Sequence, residues 1–173
     1  MDYPRYLNDL DPVYAAVVAT LLEHADVRGM DGFRHHDRTA LTHSIGVSTR
    51  AWALARRLGL DAESVARGAL LHDFFLYDWR DGTNPRHPTG HARVALANAR
   101  ARFELNPVEE DIIVSHMWPI GKPFYSYSES ALVSLVDKYV STMEVALLFV
   151  RTLRSFGYAV AQRLKARLIA SRA

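Results

Sequence analysis

Apolar residues return every three or four positions along most of the chain, which is the helical period of ~3.6, while alternating strand-like runs bounded by turns are nearly absent. The pattern predicts an all-α, single-domain helical bundle. Asp11-Pro12 opens a helix through about Asp26; Gly29 and Asp31-Gly32 then interrupt the chain before a helix from about Arg38 to Leu58, stopped by Gly59. Asp61 is a good N-cap for the next helix, to about Phe75, with Glu63 at the positive end of its dipole. Thr89 caps a helix to about Phe103, and Asn106-Pro107 with Glu109 and Glu110 starts another that ends near His116. Ser128 to about Arg154 and Phe156 to about Ala170 read as two long helices. Two loops remain: Tyr77 to Pro88, with Asp81-Gly82 and Asn84-Pro85, and an aromatic-rich stretch around Pro119, Gly121 and Pro123.

Six polar residues interrupt the apolar side of these helices. His43 shares a face with Ala40, Val47 and Leu54, His72 follows Val65 and Ala69, and Asp73 follows Ala66 and Ala69. His91 aligns with Val94 and Ala95, His116 with Ile112 and Ile113, and Asp137 with Val133. A buried carboxylate is costly unless it is paired, hydrogen-bonded or bound to a metal, so two acids and four histidines turned inward point to a shared cation. His72 and Asp73 project about 100° apart around their helix, so both can reach one ion, and the second Asp73 oxygen can bridge to another. The sequence has no cysteine, which leaves nitrogen and oxygen donors. Such a set suits a divalent transition metal, Fe or Mn first, then Zn, Co or Ni, with Mg a poorer match.

In chain order, His43, His72-Asp73 and Asp137 follow an H…HD…D pattern, set in Thr42-His43-Ser44, in Ala69 through Asp73 and in Val136-Asp137-Lys138. The stretch from Ala40 to Val140 thereby resembles the HD-domain metal-dependent phosphohydrolases. The resemblance implies an all-α bundle in which His43, His72, Asp73 and Asp137 bind one metal. His91 and His116 match the extra histidines of two-metal members, where the central aspartate bridges the ions. The chain lacks the GYP motif of the cyclic-dinucleotide phosphodiesterases and has Leu76 and Met117 where they carry Lys and a second His. Its six-ligand set resembles the di-iron hydrolases of dinucleoside polyphosphates and the di-iron HD oxygenases.

For hydrolysis, Asp73 would organise the metals, Asp78 would orient water or act as a base, and Lys138 would assist. Arg80, Arg86 and Lys122, with Lys138, are the candidates for the substrate phosphate. Trp118, with Phe124, Tyr125 and Tyr127, either stacks a nucleobase or packs its loop onto the bundle. The substrate class is a small phosphorylated compound, with nucleotides first. Two other functions compete: a di-iron oxygenase, marked by a mixed-valence cluster, and a metal-containing binding module, marked by ligand retention without turnover.

Composition narrows the partners. The 173 residues suffice for one domain, and 49% hydrophobic with 23% charged residues argues against disorder. A formal charge of +2 is too small to expect nucleic acid. Met1 to Leu10 lacks the apolar stretch of a secretory signal, so a cytoplasmic location is expected. The most apolar window, Ala131 to Val150, contains Asp137, Lys138 and Glu144, so no membrane span is expected. The arginines near the C-terminus read as a solvated face, and a homo-oligomer is open.

Overall fold

Local capping chemistry sets where most helices begin in the computed structural model, which describes residues 10–35, 38–78, 87–121 and 123–170. Asp11 accepts hydrogen bonds from the amides of Val13 and Tyr14 and starts α1, Pro12–Glu23. His24 then takes an extended conformation, and its Nδ1 accepts from the Asp26 amide to open a separate short helix, α2, Ala25–Gly29. The expected continuous helix to Asp26 is therefore split. A 3₁₀ turn over Met30–Gly32 leads into a hairpin of β1, Arg34–His35, and β2, Arg38–Thr39, in which Arg34 lies opposite Thr39.

The Thr39–Thr42 capping box starts α3, Ala40–Leu58, and Gly59 ends it at φ 69°, a left-handed conformation that costs glycine little. Asp61 caps α4, Ala62–Leu71, through the Ser64 amide. This helix ends four residues before the expected Phe75. The Phe74 amide donates to the Leu71 carbonyl and the Phe75 amide to that of Asp73, so His72 and Asp73 occupy a tight turn at the helix end. Next come α5, His87–Arg100, and α6, Pro107–Ser115, the latter opened by a capping box between Asn106 and Glu109. The last described element is α7, Ser128–Ala170. Its 43 residues form one helix roughly 65 Å long, at ~1.5 Å per residue, instead of the expected two. The single Gly157 in its interior weakens a helix by only ~1 kcal/mol and does not break it.

Two apolar clusters share α3 and α4. Tyr14, Leu21, Ile45, Trp52, Leu70, Phe74 and Ile113 belong to one, on the side of α1, α2 and α5. Val47, Ala51, Val65, Ala69, Ile112, Val133 and Val136 form the other, against α6 and α7. Both faces of α3 and α4 are thus covered, which explains why their inward polar groups are fully dry. Tyr14, Ser48 and the Ala66 carbonyl form a buried chain in which each hydroxyl donates to the next group. Burial pushes the Tyr14 phenol pKa upward, so it stays a neutral donor. Leu54 departs from its expected place beside His43 and is 39% exposed.

Candidate metal centre

The C-terminal ends of α4 and α6 converge with α3, α5 and α7, and there all six expected ligands meet. His43, His72, Asp73, His91, His116 and Asp137 are each at most 7% exposed. Their donor atoms form three overlapping groups, each within 4.8 Å: His43, His72 and Asp73; His72, His116 and Asp137; Asp73, His91 and His116. Asp73 stands between two sets of imidazoles. Its Oδ2 lies 3.5 Å from His72 Nε2, while Oδ1 lies 3.2 Å from His91 Nε2 and 3.6 Å from His116 Nε2.

Two of the histidines are aimed by the same local device. His72 and His116 cap the ends of α4 and α6, and the Nδ1–H of each donates to a carbonyl three residues back, at 2.7 Å to Ala69 and 2.9 Å to Ile113. A carbonyl can only accept, so Nδ1 carries the proton and Nε2 presents its lone pair to the interior. His72 Nε2 is buried and makes no hydrogen bond, since the nearest carboxylate oxygens, on Asp73 and Asp137, are 3.5 and 3.7 Å away. His116 Nε2 faces His91 Nε2 at 3.1 Å.

These residues fit a divalent cation. The buried His72 Nε2 without a donor, the carboxylates beside it and two helix C-termini all favour positive charge at one place.

Glu144 was not expected at the site. It is 5% exposed, and its Oε2 lies 3.0 Å from His43 Nδ1, whose Nε2 meets Asp137 Oδ1 at 3.1 Å. Arg38 reaches the other Glu144 oxygen at 3.3 Å. A carboxylate behind a ligating imidazole fixes its orientation and raises its basicity. The available signal was spacing: Asp137, Ser141 and Glu144, at i, i+4 and i+7, share one helix face. Glu144→Ala is expected to weaken metal binding about 10–100-fold, the usual effect of losing such a partner, with Glu144→Gln intermediate. Competition against a coloured chelator measures this, and unchanged affinity in both variants would refute the role.

Electrostatics of the metal-free cluster follow from its geometry. Burial lowers the His43 pKa, but hydrogen bonds to Asp137 and Glu144 overcome it and push the pKa up to about 10. For His72 the burial effect, also downward, loses to Asp73 and Asp137, and the net shift is up. Burial and then the neighbouring His72 push His116 down to about 3. Burial would raise Asp137, but the imidazoles of His43 and His72 hold it well below the usual carboxylate range.

These shifts make the stability of chelator-stripped protein bell-shaped in pH. The His43 contribution is fully present below its ordinary 6.5 and is lost as pH rises toward about 10. The Asp137 contribution is present above 3.8 and is lost in acid. His116 stays neutral in the fold to about 3, so protonation of the unfolded chain below 6.5 also disfavours folding. Urea midpoints across the pH range should peak near pH 6.5, and a midpoint still rising through pH 9 would contradict the assignment.

The other site candidates are placed less directly. Lys138 donates to the His116 carbonyl at 2.9 Å and to Ser134, so it meets the cluster through the backbone of a ligand. Burial lowers its pKa. Asp78 is half-buried, five residues beyond Asp73. Trp118 packs edge-on against Phe124 and Tyr125, with ring centroids 5.0 and 5.4 Å away, and is 37% exposed; Tyr125 donates to Ser134. The aromatic loop is thus pinned to the bundle while part of the Trp118 ring faces solvent. Arg80, Arg86 and Lys122 lie outside the described residues.

No curated protein sequence and no solved structure matches the chain. Residues 40–140 match the HD domain, an interval that runs from the first residue of α3 to Val140 and encloses all six ligands. With the histidines and aspartates gathered as that match requires, the chain belongs to the HD-domain family, a superfamily of metal-dependent phosphohydrolase type.

Proposed function

We propose that the protein hydrolyses a phosphate ester or anhydride of a nucleotide or related small phosphorylated compound, at a metal centre in which Asp73 would serve two divalent ions. The position of Asp73 carries this reading: one oxygen faces His72, the other faces His91 and His116. His43, His72, Asp73 and Asp137 would hold one ion, and Asp73, His91 and His116 the other. Bound divalent ions lower the pKa of a water from about 15.7 toward ~7 and offset negative charge on phosphoryl oxygens.

The protein's own groups supply placement. The Nδ1 bonds of His72 and His116 keep both Nε2 atoms aimed inward without reorganisation, and Lys138 steadies the His116 backbone. Asp78 follows the ligand-bearing turn and is the proposed group to hold or accept a proton from water. Arg80, Arg86 and Lys122 are proposed to hold the phosphate, and the exposed part of Trp118 to contact a base or sugar. In the net reaction water adds to phosphorus, the bond to the leaving oxygen breaks, and that oxygen takes up a proton.

Protein loaded with Mn or Fe(II) should release phosphate or nucleoside monophosphate from a panel of nucleotides and dinucleoside polyphosphates. Inactivity with every substrate and metal would overturn the proposal.

A further inference from the structure

The side of α7 turned away from the metal centre carries a different observation. Between α3 and α7 runs an apolar groove lined by Ala53, Leu54, Leu132, Leu135, Val136 and Tyr139, whose charged lining residues are Arg50 and Arg57. At about 100° per residue, Leu135, Tyr139, Phe149, Val150, Leu153 and Phe156 fall within one sector of α7 roughly 120° wide. The groove wall therefore continues as a stripe along the helix. Each of these six side chains is 47–70% exposed; on the opposite sector Asp137, Val140 and Glu144 are buried, and beyond Glu144 the helix stands clear of the bundle, so that Leu147 and Leu148 on that side are exposed as well. Contiguous exposed apolar surface of this kind marks a contact surface.

Charge selects the occupant. Glu144 is the last acidic residue in the sequence, and the 29 residues after it hold five Arg and one Lys. The chain's formal +2 therefore divides into +6 on this segment and −4 on residues 1–144. Two copies paired along the stripe would oppose like charges, with Arg50 and Arg57 adding to the repulsion. An anionic lipid surface complements both features, since it accepts apolar side chains beneath a layer of phosphate charge. Among the described residues no helix is long and apolar enough to cross a membrane, so the fitting geometry is a helix lying in the headgroup plane.

We propose that the C-terminal half of α7 docks on bilayers containing anionic phospholipid, with Phe149, Leu153 and Phe156 entering the acyl boundary. This departs from the sequence expectation that the C-terminal arginines form a solvated face, and it is consistent with the expected absence of a membrane span. It is independent of the reaction at the metal centre.

Co-sedimentation of the full chain with vesicles tests it, using phosphatidylcholine alone and phosphatidylcholine mixed with phosphatidylglycerol. Binding is expected on the mixed vesicles and not on the neutral ones. About 1 M salt, which shortens the Debye length to ~3 Å, should weaken it roughly tenfold or more. The double substitution Phe149→Glu with Phe156→Glu should do the same, and so should Arg151→Glu with Arg154→Glu, with helicity and metal content checked in each. Equal binding to both vesicles, or wild-type binding by the Phe149→Glu, Phe156→Glu protein, would overturn the proposal. So would absence of vesicle binding together with a concentration-dependent dimer that this substitution dissociates, which would make the stripe an interface between copies.

Discussion

Asp73→Ala is expected to lose bound metal and hydrolytic activity together, with kcat/KM falling by at least about 10³-fold, equivalent to about 4 kcal/mol of transition-state stabilisation. Asp73 is 1% exposed and is the acid placed between both sets of imidazoles. Removing it deletes a ligand from each proposed ion site, where loss of an outer partner alone typically costs 10–100-fold in affinity. Asp73→Asn keeps the shape but removes the charge and one lone-pair face, and should fail almost as completely. Elemental analysis with a nucleotide hydrolysis assay reads both effects, and circular dichroism separates them from unfolding. An Asp73→Ala protein that keeps its metal content and activity within about tenfold of wild type would remove Asp73 from the centre.

The sequence was most informative where chemistry is local. Asp11, Asp61 and Asn106 each cap the helix that their side chains announce, because an N-cap needs only the next three amides. Thr89, also expected as a cap, lies inside α5, and the Thr39 cap was not anticipated. The inward side of each ligand was legible from helical period, and all six proved buried together. What period cannot supply is distance between elements. Glu144 read as a charge interrupting an apolar window, and its proximity to His43 exists only once α3 and α7 are packed. Lys138, one step around the helix from Asp137, bonds the His116 carbonyl just past the end of α6, which sequence spacing cannot locate. The end of α4 was overestimated for a related reason. Phe74 and Phe75 continue the apolar period, yet both are buried in the turn that follows, so burial persists after the helix has stopped. At α7 an apolar and basic sequence suggested two helices, while its backbone continues as one because nothing between Arg154 and Phe156 forbids it.

Gly68→Val is expected to destabilise the protein by about 1–3 kcal/mol, the usual cost of overpacking, and to weaken the metal centre at a distance. A Cβ at Gly68 would lie 3.0 Å from Ile112 Cδ1 and 3.1 Å from both Cβ and Cγ2 of that residue. Those contacts are too close to persist, so α4 and α6 must separate or Ile112 must leave its rotamer. The position matters because Gly68 lies four residues before His72 and Ile112 four residues before His116. The wedge therefore opens one helical turn from both imidazoles whose aim depends on the ends of those helices. A shift of a few tenths of an ångström would be felt in ligands now set within 4.8 Å of one another. Ile112→Ala removes Cδ1 and Cγ2, two of the three close atoms, at the cost of a cavity, so the double variant should regain part of the stability and metal affinity lost in Gly68→Val alone. Urea unfolding and chelator competition on the four proteins of this cycle give the coupling directly. Additive losses would show that the two helices do not meet through this pair, and normal metal affinity in a destabilised Gly68→Val protein would show that their spacing does not set the ligands.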